Sequence, residues 1–295
     1  MPVTAAQVKE LRDKTGAGML DCKNALAESD GDMEKAIDWL REKGIAKSAK
    51  KAGRIAAEGL TKVLVAGNKA VLVEINSETD FVAKNAQFLQ LLDDTCSTIV
   101  NSNATNNDEA LALSINGHTL NDEFVNATAT IGEKIVLRRF EILSKNDDEV
   151  FGDYVHMGGK TSSLCIMKGG DSELAHHIAM QVASMQPQYV SSNEMPAEIV
   201  DRERKVQTEI VNADEKFAGK PEQVIKGAIE GKVSKALKDM CLVDQEYFLD
   251  SNKKVSQVLK ENNAECKQFA RYLVGEGLEK REENFADEVA KQMNA

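Results

Sequence analysis

The sequence predicts an α+β fold: two small antiparallel sheets packed with helices, set between segments that are helical alone. Two observations lead there. A strand–turn–strand–helix pattern that begins near residue 59 recurs 91 positions later, with Gly158 on the Gly67 position, Lys160 on Lys69 and Ile166 on Ile75. The stretches before and after this duplicated core carry apolar residues at helical rather than alternating spacing. A chain of 295 residues is long enough to bury two or three cores of this kind.

Taken in order, residues 1 to about 44 read as three short helices. Thr4 with Gln7 three places on is a capping-box pair, and Val8 and Leu11 give the first apolar face. Thr15-Gly16-Ala17-Gly18 ends that helix, and Met19, Cys22, Ala25 and Leu26 repeat at helical spacing. Asp32 caps a third helix bearing Ala36, Ile37 and Leu40, which is expected to stop at Gly44. Ile45 to Glu58 is expected to be a linker helix. Its Lys47, Lys50, Lys51 and Arg54 suit a solvated face better than a phosphate-binding stripe, because no aromatic side chain is interleaved with them.

A hairpin follows, Leu60 to Ala66, the Gly67-Asn68 turn, then Ala70 to Asn76. Phe88, Leu89, Leu91, Leu92, Cys96, Ile99 and Val100 mark an amphipathic helix, and Lys134 to Leu143 reads as a strand. The second hairpin runs from Tyr154 through Gly158-Gly159 to Met167, with a helix over Leu174 to Met185. Beyond Pro196, Ile199, Val206, Ile210 and Ala213 form one stripe and Val224, Ile225, Ala228, Ile229, Ala236, Leu237 and Met240 another. The Gly219-Lys220-Pro221 turn between them predicts an antiparallel helical hairpin, which either protrudes as an association surface or folds back. Phe269 to Val274 is strand-like, and Phe285, Val289 and Met293 predict a final short helix.

Composition narrows the function. A net charge of -11 and a pI near 5.1 argue against a nucleic-acid binder, which needs a basic surface. No apolar run approaches the length of a membrane span, and Met-Pro-Val-Thr-Ala-Ala-Gln lacks the pattern of a signal peptide. Five cysteines, Cys22, Cys96, Cys165, Cys241 and Cys266, stand far apart and are odd in number. Reduced thiols in a cytoplasmic protein are the expectation. Chemistry-bearing motifs are missing. Gly159-Lys160-Thr161 imitates the end of a phosphate-binding loop, but Tyr154 occupies the place of the required glycine and a strand follows where a helix is needed. His118, His156, His176 and His177 have no partners at metal-ligand spacing. No cofactor is expected.

One stretch stands out, Glu74-Ile75-Asn76-Ser77-Glu78-Thr79-Asp80-Phe81-Val82-Ala83-Lys84. An apolar strand runs into it, Thr79 is placed to cap the following helix, and Asp80 would fall in the first turn, where the helix dipole favours an acid. Phe81 at such an element end either staples the helix to the core or projects towards a partner.

Leu11 to Leu26 resembles the amino-terminal signature of the elongation factor Ts family, and Glu74 to Lys84 resembles its second signature, Thr-Asp-Phe-Val included. Tyr154 to Gly159, His176 to Met180 and Val274 to Gly277 are further family-like patches in the same order. Leu20 departs from the methionine common in the family, a volume-conserving change. The resemblance implies a ubiquitin-associated-like helical module and linker at 1–55, core subdomains at 56–148 and at 149–190 with 241–265, a coiled-coil arm at 191–240 and a carboxy-terminal module at 266–295. It implies a non-catalytic, cytoplasmic guanine nucleotide exchange factor for elongation factor Tu in translation elongation. Thr79, Asp80, Phe81 and Val82 would displace Mg²⁺ from the partner's nucleotide site. Arg12, Met19 and Leu20 would grip its GTPase domain, and His156 would face its third domain. Neither nucleic acid nor membrane is implied as a partner, and the arm is a candidate surface for homodimers. Two other classes compete: an enzyme using a core cleft with Asp80 as general base, and a ubiquitin-type adaptor resting on residues 1 to 44.

Overall fold

A computed structural model describes residues 3–279. The expected helix over Phe285–Met293 lies outside the described residues. Within them the chain divides into two compact units, one spanning 3–142, 157–161 and 272–279, the other 143–156 and 162–271. Both combine helices with small sheets, the α+β class that the patterning predicts.

The first unit opens with helices α1 (Ala5–Thr15), α2 (Met19–Glu28) and α3 (Met33–Lys51). The Thr4–Gln7 capping box starts α1, and Gly16 ends it at φ 66°, its N–H bonded to the Arg12 carbonyl. Val8, Leu11, Cys22, Ala25, Leu26 and Ala36 close a small core. Contrary to expectation, α3 does not stop at Gly44. That glycine is buried where α3 crosses another helix, and a methyl built on it would lie 3.5 Å from the Ala129 side chain. Close helix approach, rather than helix ending, accounts for it. Three of the basic residues beyond it are tied to the chain: Lys47 pairs with Asp21 at 2.8 Å, Lys51 donates to the Thr128 carbonyl, and Arg54 pairs with Glu78.

Strands β1 (Glu58–Ala66) and β2 (Lys69–Ser77) then form the expected hairpin, Ala66 opposite Lys69 across the Gly67-Asn68 turn. Helix α4 (Ala86–Val100) presents Phe88, Leu91, Leu92, Cys96 and Ile99 to this sheet. Patterning did not reveal the next elements: α5 (Asn107–Leu111), the short pair β3 (Ser114–Ile115) and β4 (His118–Thr119), and α6 (Leu120–Ile131). Strand β5 (Val136–Ser144) completes the sheet in the order β1-β2-β5. Burying Phe88, Leu91, Leu92, Ile99 and Phe124 in one cluster, at ~2 kcal/mol each, is the main support of this unit.

The second unit repeats the plan. Strands β6 (Glu149–His156) and β7 (Thr161–Lys168) are followed by α7 (Ser172–Met185), and β10, below, joins them in the order β10-β7-β6. First, second and third strands therefore hold the same relative places in both sheets. Helix α7 approaches β6 closely at Gly152, where a methyl would sit 2.0 Å from the Ala175 carbonyl oxygen. Helices α8 (Ala197–Ala213) and α9 (Glu222–Asp239) pack together with Val211 and Val233 buried. Arg204 and Glu230, each near the middle of its helix, pair across the two, and the short connection 214–221 returns the chain along α8. The unit closes with β8 (Glu246–Tyr247), β9 (Asp250–Lys254), α10 (Val255–Glu261) and β10 (Glu265–Leu273).

Candidate functional site

Strand β2 delivers the chain to the stretch singled out above. Its last residues, Glu74, Ile75, Asn76 and Ser77, are buried, so the loop that follows starts from a fixed base. Glu74 anchors that base electrostatically. Its fully buried carboxylate accepts from Arg138 Nη1 at 2.9 Å, from Arg139 Nε at 2.7 Å and from the Gly275 N–H at 2.8 Å. Three donors on one carboxylate meet the condition under which a buried charge is tolerated.

Thr79 does not cap a helix. Its hydroxyl donates to Glu133 Oε1 at 2.7 Å and its N–H to Glu133 Oε2 at 2.9 Å. The helix starts later, with Asn85 accepting from the Gln87 N–H at 2.8 Å. Between them lies a single 3₁₀ turn, Val82–Lys84, so Asp80 stands before the helical backbone rather than in an α-helical first turn. An outside carboxylate outcompeted the local cap because it satisfies two donors of Thr79 at once.

Phe81 is 79% exposed, whereas Val82 and Ala83 beside it join the core that contains Phe88. The chain thus divides its apolar residues sharply: Val82 anchors and Phe81 projects. The helix-staple alternative for Phe81 fails on this exposure, and Val82, expected among the contact residues, faces inward. Asp80 is exposed and 3.6 Å from Lys84, a surface pair of little energetic weight.

Of the other expected contact residues, Met19 and Leu20 are 60% and 71% exposed, side by side at the start of α2. Arg12 is exposed on α1. The turn before Met19 lies against α4 and α6: Gly16 is beside the Gln87 amide of α4, and the Asn126 amide of α6 reaches the Thr15 carbonyl. Both groups of residues therefore belong to the first unit. His156 belongs to the second, exposed at the end of β6 with its Nδ1 3.0 Å from the Tyr154 hydroxyl. Tyr154 also meets His176 edge-on, ring centres 5.7 Å apart, and His176 Nδ1 donates to the Asp153 carbonyl at 2.7 Å.

A groove of about 360 Å³ runs between α3 and α6, with Trp39, Lys43, Glu123 and Val125 in its walls. Asp80 is not among its lining residues, so this groove is not a cleft for an enzyme with that residue as base. Among the described residues no group of three or more His, Cys, Asp or Glu could hold a metal ion, and no helix is long and apolar enough to cross a membrane. All five cysteines are buried as free thiols, and burial pushes Cys96 up to about 12 and Cys241 up to about 11.

Sequence reasoning missed Glu133, the residue that holds Thr79. Its neighbourhood carried one usable signal, the Thr119–Asp122 capping box that starts α6. Comparison with known families adds a finding of another kind: the family model of elongation factor TS matches residues 78–276, which takes in the exposed loop and leaves out the first three helices.

Proposed function

The chain belongs to the elongation factor Ts family, and on that premise we propose that it binds GDP-bound elongation factor Tu, displaces Mg²⁺ from the nucleotide site and lets GTP replace GDP. The family acts as the non-catalytic nucleotide exchange factor of elongation factor Tu in translation elongation. GDP is held by its GTPase largely through Mg²⁺ and cradled phosphates. A partner that fits only the site without the metal must weaken nucleotide affinity by the factor by which nucleotide weakens the partner. Such a protein speeds GDP loss and leaves the final GDP/GTP balance alone.

The observation that carries this reading is Phe81: a large apolar ring 79% exposed on a loop whose neighbours are buried or hydrogen-bonded. Left in water, most of it contributes nothing to the fold, and apolar rings so placed serve as anchors for partner pockets. Asp80 beside it brings a negative charge that competes for the metal's environment. Met19 and Leu20 with Arg12 would form a second grip on the GTPase domain, and His156 would meet the third domain. In this reading residues 1–55 act as a ubiquitin-associated-like module, and the α8–α9 hairpin is the coiled-coil arm, with its exposed Val206 and Ile210 as the surface for a second copy.

Stopped-flow release of a fluorescent GDP from elongation factor Tu tests it. The expected result is a rate that climbs with this protein's concentration, and that also climbs without this protein when a chelator lowers Mg²⁺. An unchanged release rate at saturating protein refutes the reading. Turnover of a substrate without any GTPase present would move the assignment to an enzyme.

A further inference from the structure

The loop that bears Phe81 is braced from a place 50 residues away in sequence. Gly132 ends α6 in the left-handed conformation, φ 92°, and this turns Glu133 and Lys134 alongside the loop. Glu133 then reaches Thr79 with both oxygens, one on the backbone N–H and one on the hydroxyl. Glu78 reaches back, its Oε1 accepting the Lys134 N–H at 2.6 Å and pairing with Arg54 at 3.2 Å. Ser77 completes the set by donating its hydroxyl to the Thr79 carbonyl at 2.9 Å. Every polar group of Thr79 is engaged, two residues before a ring that is itself held by nothing of comparable strength.

We propose that Glu133 is a positioning residue for exchange: by clamping Thr79 it sets the direction in which Phe81 leaves the surface. The proposal rests on the reading of Phe81 as the exchange wedge. A ring on a slack loop still binds, but the partner must then order the backbone that carries it. Each residue newly ordered costs about a tenfold in the productive population. The chemistry is specific to a carboxylate. It offers two acceptors to two donors on one residue, whereas an amide offers one acceptor and an alanine none.

The test is a double-mutant cycle read by GDP release from elongation factor Tu, with thermal melting of each variant alongside. Glu133→Ala is expected to slow stimulated release about tenfold, with Glu133→Gln between it and the wild type. In a Phe81→Ala background Glu133→Ala is expected to add less than about twofold, because a brace has nothing left to aim. A full tenfold loss in that background overturns the proposal, since Glu133 would then act independently of the ring. So does undiminished release by Glu133→Ala while Phe81→Ala is slow, a result that leaves the wedge reading intact. If Phe81→Ala itself releases GDP at the wild-type rate, the wedge reading falls and this proposal with it. Should Glu133→Ala melt too low to assay, the same cycle run with Glu133→Gln decides by the same criteria.

Discussion

Truncating Phe81 to alanine separates exchange from folding, and the structure sets the size of both effects. A phenylalanine offers about 200 Å² of apolar surface, and at 79% exposure about 160 Å² of it is free for a partner to cover. At ~25 cal/mol per Å² that is ~4 kcal/mol on full burial, of which alanine retains about a third. The loss of ~2.7 kcal/mol corresponds to about a hundredfold slower stimulated release. The remaining fifth of the ring contributes no more than ~1 kcal/mol to the fold, a shift of about 3 °C in melting temperature. The assay pairs stopped-flow GDP release with a melting curve on the same preparation. Release slowed about a hundredfold at an almost unchanged melting temperature is the expected pair. A melting temperature lowered by ten degrees or more would show the ring to be core in solution. Unchanged release at an unchanged melting temperature would refute the wedge argument directly.

Three further predictions concern the interiors of the two units. Glu74→Gln leaves Arg138 and Arg139 without their shared buried carboxylate, and urea unfolding is expected to show a loss of about 3–5 kcal/mol; a loss under about 1 kcal/mol would mean that the three donors do not depend on it. Gly152→Ala drives a methyl against the Ala175 carbonyl, so it is expected to lower the melting temperature by several degrees, and a neutral effect would show that α7 moves away from β6 freely. Burial holds the Cys96 thiol neutral up to about 12, against an ordinary value of 9.0, so the folded protein keeps that proton to higher pH than the unfolded chain. The stability so contributed is intact below pH 9.0 and falls through the interval up to about 12, at ~1.4 kcal/mol per pH unit. Urea midpoints from pH 8 to 11 check the slope, and a Cys96→Val variant with the same slope would assign it elsewhere.

How far the sequence spoke depended on how local each signal was. The Gly67-Asn68 turn and the strands around it are decided by adjacent residues, and the hairpin forms about the expected turn. The apolar face of α4 is dense, from Phe88 to Val100, and could not be mistaken. Helix α6 was passed over because Leu120, Phe124, Ala127 and Ile131 are scattered among asparagine, aspartate and threonine, all weak helix formers. Gly44 reads as a helix end, a property of its backbone, yet its role is set by Ala129 and Val125 far along the chain. Thr79 reads as a cap for the same reason: the acceptor and donor rules are local, and Glu133 is 54 residues distant. The exposure of Phe81, by contrast, was one of two stated alternatives that only packing could separate.

The duplication explains why the site lies where it does. Both copies place a helix after the middle strand of a three-stranded sheet, and both helices start on a side-chain cap, Asn85 before α4 and Asp171 before α7. The connections differ. In the second copy 169–171 suffice to join β7 to α7, with Gly169 and Gly170 both at φ 72° making the turn. In the first copy the same connection takes 78–85, so the 91-residue offset that aligns the strands no longer aligns the helices. The extra length is what lifts Phe81 clear of the sheet. Added length also adds freedom, which the short glycine turn never had to remove. Bracing by Glu78 and Glu133 answers that need in the lengthened connection. The two carboxylates are therefore the cost of building a rigid presenter from a loop, and their removal should cost most in the step where rigidity counts.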